Sequence, residues 1–307
     1  MAVCPFHTKV DGTQEKTPSF AMSLSTGLFF CHACQVKGNI QSFLRNVGLS
    51  RDMIERGYRF LIDSLSTNIP PPPDALRPKL FNETPIDEAI LGLFEYCPTE
   101  LLQAGFTQQT LFECEVGWDQ WHGRITYPLR DLQGKLLGIS GRNPPGVEPK
   151  YKVYTKEYAV WRMEDRPEPN KRYLLWNADK VYPILYFQTK PEPLIVVEGF
   201  KACMWVKQAG FSNVVALLGS YASWEQRWII ERIGAPVYLF LDNNFAGRNG
   251  TIKAADSLKA SMNVHVVEYP ERLADEDKAQ PDSCTPEEVR SAILSAPSYL
   301  QWLINAQ

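Results

Sequence analysis

Pro193-Leu194-Ile195-Val196-Val197-Glu198-Gly199 and, further on, Val237-Tyr238-Leu239-Phe240-Leu241-Asp242-Asn243-Asn244-Phe245-Ala246-Gly247 decide the fold. Each is an apolar run that stops abruptly at a carboxylate, Glu198 followed directly by Gly199 and Asp242 by Asn243-Asn244 and then Ala246-Gly247. β-Branched and aromatic runs of this length, bounded by Pro and Gly, read as strands buried on both faces of a parallel sheet. Carboxylates at their C-terminal ends then lie where open α/β sheets bind ligands.

The chain between and after these runs alternates as such a sheet requires. A helix is predicted over 200–209, closed by Gly210, then a short strand over 214–217. Ser223-Trp224-Glu225-Gln226 has capping-box spacing and opens a helix to Ile233. After Gly247 and Gly250 a further helix is predicted over 251–262, then a fourth strand over 264–267. Right-handed crossovers between neighbouring strands bring Glu198 and Asp242 to one sheet edge. Two carboxylates so placed repel each other unless a cation lies between them, and Mg²⁺ takes a few carboxylates plus water and phosphate oxygens. Spacing alone fits equally well two carboxylates that merely cap strands beside a loop.

At 307 residues and 44% hydrophobic content, the chain is long enough for two or three domains with real cores. No apolar run reaches membrane-span length and no signal segment opens the sequence, so a cytoplasmic protein is expected. Seven cysteines in such a chain argue for metal ligation by some of them rather than a disulfide framework. Cys4-x-x-His7 and Cys31-x-x-Cys34, with 23 residues between them, supply four N/S ligands on two knuckles. That is the pattern of a closed, structural Zn²⁺ site, with a hairpin expected between the knuckles around Gly27. Cys97, Cys114, Cys203 and Cys284 lack mutual spacing and read as buried small apolar residues.

A loosely helical stretch over 44–65 leads into Pro70-Pro71-Pro72-Pro73, a semi-rigid spacer. A helical reading follows over 86–105, with a new turn at Pro98. Two alternating strands then flank a turn at Asp131-Leu132-Gln133-Gly134. From His122 to Lys180 there are 12 Lys and Arg against 7 Asp and Glu, a local +5 in a chain of net −3. Tyr151, Tyr154, Tyr158 and Trp161 interleave with these bases, as on surfaces that stack single-stranded bases. An ordinary solvated face over core aromatics has the same composition. The tail is acidic, with 8 acids against 3 bases over 268–307 and helices expected over 286–306 behind an N-cap at Thr285.

Several of these stretches resemble one family. Cys4-Pro5-Phe6-His7, Thr17-Pro18-Ser19-Phe20, Phe30-Cys31-His32-Ala33-Cys34 and Gly38-Asn39-Ile40 are similar to the CHC2 zinc ribbon of DnaG-type primases. Val196-Val197-Glu198-Gly199, the 208–219 segment and Leu241-Asp242-Asn243-Asn244 with Ala246-Gly247 resemble the Toprim domain of the same family, in a phage or mobile-element style. Arg124-x-x-x-Pro128-x-Arg130-Asp131, Gly138-x-x-Gly141-Arg142 and Lys150-Tyr151 resemble its basic motifs. The resemblance implies a multidomain α/β chain: a zinc ribbon of antiparallel β over 1–49, a helix and proline-rich linker over 50–79, and a mixed α+β basic subdomain over 80–190. A Toprim parallel α/β sheet over 191–270 and a short C-terminal helical tail over 271–307 complete it.

It also implies a DNA primase, making short RNA primers on single-stranded DNA by Mg²⁺- or Mn²⁺-dependent nucleotidyl transfer from nucleoside triphosphates. Glu198, Asp242 and Asp282 are its expected catalytic metal ligands, and Arg124, Arg130, Arg142, Lys150 and Tyr151 its nucleotide and template contacts. The chain departs from the family at Asn244 and Ala202, where acids are expected, and at Gln280, where only the second acid of an Asp-Pro-Asp is kept as Asp282. A weakened relative that binds single-stranded DNA or a replication partner is therefore the alternative. The family's helix before the ribbon and its helicase-binding domain have no counterpart in this sequence, so any replicative helicase is expected to meet another surface.

Overall fold

The computed structural model describes residues 2–6, 17–23, 28–39, 42–43, 47, 85–154, 169–187 and 192–305. His7, Gly27, Tyr158, Trp161 and the prolines at 70–73 lie outside the described residues, as does the expected helix over 44–65 apart from Val47.

Three sheets organise the described chain. At the N-terminus β1 (Phe20–Met22), β2 (Phe29–Cys31) and β3 (Lys37–Gly38) form an antiparallel ribbon. Phe6, Phe20, Phe29 and Phe43 pack as one aromatic cluster beneath it, with ring centroids 5.3 to 5.9 Å apart. So small a unit has little other apolar surface to bury, which is why it needs a staple.

The second sheet is antiparallel in the order β4 (Gly117–Asp119), β5 (Arg124–Arg130), β6 (Leu136–Arg142) and β7 (Tyr151–Val153). The predicted turn joins β5 and β6: Gly134 N–H donates to Asp131 O at 3.0 Å, and Gly134 has φ 82°, a backbone region L side chains disfavour. The helical reading over 86–105 resolves into a 3₁₀ helix (Glu88–Phe94) and a separate α1 (Thr99–Gln103) behind Pro98. The 3₁₀ segment is pinned to the sheet at both ends. Ile86 N–H donates to Leu136 O at 2.8 Å, and the Phe94 carbonyl lies against Gly117, where a Cβ would be 2.1 Å away. α2 (Gln108–Glu113) follows.

The third sheet is parallel throughout, in the order β9 (Val214–Ala216), β8 (Leu194–Val197), β10 (Val237–Leu239), β11 (Val264–Val266). The predicted alternation of strands and helices holds, with α3 (Ala178–Phe187) before β8 and α4 (Phe200–Gln208), α5 (Trp224–Ile233) and α6 (Phe245–Leu258) between the strands. Along β8 the side chains divide between two cores. Ile195 and Val197 face the side carrying α4, while Leu194 and Val196 join residues of α3, α5 and α6. All four are at most 1% exposed, which is why the run is continuously apolar. The predicted capping box opens α5, and Gly234 closes it in the left-handed conformation.

The expected helix over 251–262 instead starts at Phe245, so Gly247 and Gly250 lie inside α6. Close approach explains both glycines. A Cβ on Gly247 would lie 2.0 Å from Asp242 O and 2.6 Å from Glu198 Oε1, and one on Gly250 would lie 1.9 Å from Ser220 O.

The two larger sheets are tied together by aromatics at the start of α4. Phe200 stacks on Tyr127 of β5 at 4.3 Å and 11°, and Trp176 meets Phe200 edge-on at 5.0 Å. Trp176 also exchanges both backbone hydrogen bonds with Ala216 and donates its indole N–H to Pro128 O at 2.9 Å. The tail forms α7 (Glu271–Ala274), a 3₁₀ turn (Pro281–Ser283), α8 (Pro286–Leu294), capped by Thr285 as predicted, and α9 (Tyr299–Asn305). Val266 N–H donates to Pro297 O at 3.1 Å, so the tail covers the β11 edge.

Gly247→Ala is expected to cost about 1–3 kcal/mol in chemical denaturation, because the helix must retreat from the β10 end to admit a methyl group. An unchanged midpoint would contradict the close packing.

Candidate metal centres and nucleotide cleft

In the ribbon, the Sγ atoms of Cys4, Cys31 and Cys34 lie within 4.8 Å of one another, with Cys4 and Cys34 at 3.8 Å. Cys4 and Cys31 are fully buried. The knuckle backbone turns its N–H groups toward sulfur: Phe6 N to Cys4 Sγ and Cys34 N to Cys31 Sγ, both 3.5 Å. Ser19 Oγ is 3.4 Å from Cys31 Sγ. Burial opposes ionisation of Cys31, but these donors overcome it and bring the thiol down to about 6, while burial pushes Cys4 up to about 11. Three converging sulfurs with N–H donors behind them fit a structural zinc. His7, the fourth expected ligand, lies outside the described residues.

At the C-terminal edge of the parallel sheet, β8 and β10 pair with Val196 opposite Leu239, so the segments beyond them run on side by side. Asp242 N–H donates to Glu198 Oε1 at 3.2 Å, placing the two predicted carboxylates together. Burial, then the nearby Asp242 charge, raises Glu198 to about 7. Burial, then Asp282, raises Asp242 to about 6, although Lys150 and Gln280 pull it down. Desolvated carboxylates that repel each other form a site suited to a divalent cation.

Asp282 sits on the 3₁₀ turn beside the pair, near enough for its charge to act on Asp242, with Oδ2 3.4 Å from Lys201 Nζ. Gln280 Nε2 donates to Asp242 Oδ2 at 3.0 Å, standing against the carboxylate where the resemblance implied another acid. Asn244 is committed elsewhere: its side chain caps α6 by accepting from Gly247 N at 2.9 Å.

A cavity of about 250 Å³ opens beside this pair, lined in part by Arg142, Lys150, Tyr151, Glu198 and Asp242. Lys150 Nζ lies 5.8 Å from the Tyr151 ring centre, and burial keeps the Tyr151 phenol protonated above its ordinary range. Two predicted contacts lie elsewhere. Arg130 is held by Glu88 at 2.8 Å, Glu115 at 2.5 Å and Gly134 O at 2.6 Å, a neutralised strut between the 3₁₀ helix and β5 rather than a phosphate ligand. Arg124 does not line the cavity; its Nε donates to Asn143 Oδ1 and its guanidinium lies 5.8 Å from the Tyr154 ring centre. Sequence reading missed Lys171 and Lys201, which do line it, as does Gln280, the position of a replaced acid. Lys201 adjoins Ala202, the position of a missing acid, and that was the available signal.

Comparison with known proteins agrees with this geometry. The CHC2 zinc finger family matches residues 1–53, and the Toprim-like family matches residues 195–279. A DNA primase of Staphylococcus aureus (strain COL) is 25% identical over 325 residues, covering 88% of this chain and 51% of that protein. A DNA primase of Staphylococcus epidermidis is 26% identical over 332 residues, covering 90% and 52%. This chain thus spans about half the length of the curated relatives it matches. Among solved structures, the zinc-binding and RNA polymerase domains of Aquifex aeolicus primase superpose with TM-score 0.56 at 20% identity, covering 99% of this chain and 80% of that one. A DnaG primase catalytic domain bound to single-stranded DNA gives TM-score 0.55 at 16% identity, covering 71% and 80%.

A cysteine ribbon ahead of a basic antiparallel sheet and a parallel sheet with paired edge carboxylates defines a CHC2–Toprim protein. With a CHC2 zinc finger match at its start and a Toprim-like match further on, the chain is similar to DnaG-type primases.

Two outcomes follow for the metals. The purified chain is expected to carry about one zinc by elemental analysis, and Cys31→Ser to lose it with the ribbon's fold; zinc-free protein with an intact ribbon would contradict this. Glu198 and Asp242 both titrate above their unfolded values, so the ion-free fold loses stability as pH rises from ~4 to ~7, and a divalent ion restores it. The rise in melting temperature on adding Mn²⁺ is therefore expected to be small near pH ~5 and largest above pH ~7. A rise independent of pH would count against the pair as the ion site.

Proposed function

We propose that the chain synthesises short RNA primers on single-stranded DNA, joining ribonucleotides by metal-dependent nucleotidyl transfer. The observation that carries this reading is the facing arrangement in one cleft: Glu198 and Asp242 on one wall, Arg142, Lys150 and Lys201 around them. Carboxylates opposite a cluster of cations form a site for phosphates bridged by a divalent ion.

The 3′-hydroxyl oxygen of a primer forms a bond to the α-phosphorus of a nucleoside triphosphate, the bond to the bridging oxygen breaks, and pyrophosphate leaves. Mg²⁺ or Mn²⁺, when bound, orients and neutralises the phosphates. Asp242 is the principal ion ligand. Glu198 either completes the ligand set or takes the hydroxyl proton, its raised proton affinity suiting it to the second role. Asp282 acts from beside the pair through its charge on Asp242. Arg142 and Lys150 hold phosphates, and Tyr151 offers its ring to a base or sugar. Arg124, on the same basic sheet, contributes to the template surface, and the ribbon engages the template as well.

Asn244, Ala202 and Gln280 favour a second reading, a binding protein with little or no synthesis, because each removes a charge that would hold an ion. Incorporation of labelled ribonucleotides on single-stranded DNA with Mg²⁺ or Mn²⁺ separates the two. Template-dependent product is expected. Asp242→Asn should reduce it by about 10²-fold or more while leaving zinc content and DNA binding intact, and Arg142→Ala or Lys150→Ala should reduce it by about 10–100-fold. An inert wild type that gains synthesis on Asn244→Asp would establish the binding reading instead.

A further inference from the structure

One end of the basic sheet carries a row of cations that stops at an exposed indole. In the strand order β4-β5-β6-β7, this end holds the close of β4 and β6 and the start of β5 and β7. Register fixes which residues stand there: Arg124 is opposite Asp119, and Arg142 lies between Ile125 and Tyr151. Lys150 precedes Tyr151 directly. Lys150, Arg142, Arg124 and the Asp119–Gly123 turn therefore follow one another along the rim, over about 14 Å at a strand spacing of about 4.8 Å. Asn143 ties the row together. Its Oδ1 accepts from Arg124 Nε, and its backbone N–H donates to Lys150 O at 3.0 Å. Glu148, the acid on the loop between Arg142 and Lys150, is turned back onto the Lys150 N–H at 3.0 Å. The row begins in the cleft, which Lys150 and Arg142 line, and ends outside it.

The turn at the end of the row is braced from beneath. Asp119 is buried, and its Oδ1 accepts from Trp121 N–H at 3.0 Å and His122 N–H at 3.2 Å. Its Oδ2 lies 2.6 Å from His122 Nδ1 and accepts from Tyr154 OH at 2.6 Å. Gly123 N–H closes the turn on Asp119 O at 2.9 Å. Burial opposes ionisation of Asp119, but the Tyr154 and His122 donors hold its carboxyl below the ordinary range. The ring of Tyr154 also lies 5.8 Å from the Arg124 guanidinium, so one side chain positions both the turn and the last cation. On this turn Trp121 is 60% exposed. A lone exposed apolar residue needs no explanation. A buried carboxylate that spends four hydrogen bonds on presenting one, at the end of a row of cations, does.

We infer that Trp121 is a stacking platform for one base of the single-stranded DNA template, at the point where the template's phosphates pass Arg124. The inference rests on the single-stranded DNA binding that both readings above share, and not on synthesis. Phosphates along the strand meet Lys150, Arg142 and Arg124 in succession, which supplies affinity without sequence preference. The indole then offers a face to any base, and a base free to leave its neighbours can take it. Bases held in a duplex are already stacked and paired, so the platform selects single strands. A protein partner would meet a row of cations with a ring at its end, where a protein interface would instead centre on a core depleted of charge.

The test uses the full zinc-loaded chain and a fluorescent single-stranded oligodeoxynucleotide, with affinity read by anisotropy across a salt series. Trp121→Ala is expected to weaken binding about 10-fold without changing the slope of log affinity against log salt, and Trp121→Phe to keep most of the affinity. Arg124→Ala should instead lower that slope by about one. Moving a single abasic site along the oligonucleotide should find a position that costs the wild type about 10-fold and Trp121→Ala nothing. Binding by Trp121→Ala within about twofold of wild type, an equal loss on duplex DNA of the same sequence, or identical abasic costs in the two proteins overturns the proposal. A wild type that shows the Trp121 effect but makes no primer supports it and removes the synthesis reading alone. One that binds no single-stranded DNA overturns both. Should Trp121→Ala lose its fold by circular dichroism, Trp121→Leu, which keeps apolar bulk without an aromatic face, carries the same expectation and the same overturning results.

Discussion

Two carboxylates that would otherwise avoid each other are forced together by backbone pairing. β8 and β10 are hydrogen-bonded neighbours in register, and the chain leaves both at the same edge, so Glu198 and Asp242 have no route apart. Burial raises both toward neutrality, helped at Glu198 by the Asp242 charge and at Asp242 by the Asp282 charge. A fold that maintains such a pair stores an electrostatic cost that a cation relieves, and the surrounding features make sense as means of keeping the pair in place. Gly247 and Gly250 let α6 press against the strand ends, and Asn244 secures its first turn.

The second sheet brings opposite charge to that edge. Its docking combines the ion pairs Lys180–Glu115 and Lys207–Glu113 with aromatic packing: Phe200 follows Glu198-Gly199 directly and stacks on Tyr127, so the residue that begins α4 fixes the basic sheet relative to the carboxylates. Arg142 and Lys150 lie near the ends of β6 and β7 that face the cleft, whereas Arg130, at the far end of β5, is spent on Glu88 and Glu115. One strand pair thus carries a basic residue for the cleft at one end and a structural strut at the other.

That difference shows what a sequence can and cannot convey. The strand runs, the capping box at Ser223, the N-cap at Thr285 and the cysteine knuckles were legible because each rests on local periodicity or fixed spacing. The early start of α6 was not, because Gly247 and Gly250 look like breakers until the backbones they admit are known. Arg130 and Arg142 are equivalent in composition, and only tertiary placement separates an arginine facing two glutamates from one facing the cleft. Asp282 stands beside Lys201, which was overlooked because one lysine in the first turn of a helix carries no pattern of its own.

Of the departures at Ala202, Asn244 and Gln280, Gln280 places an amide donor on Asp242 Oδ2, while Asn244 accepts from Gly247 N–H as the cap of α6. The central claim is that Glu198 and Asp242 jointly seat a divalent ion. The most direct measurement is anomalous diffraction from crystals of the full chain grown with Mn²⁺ and collected near the manganese edge. A peak within bonding distance of both carboxylates is the predicted result; a fully ordered cleft with no peak there, or a peak bound by neither residue, would contradict the account.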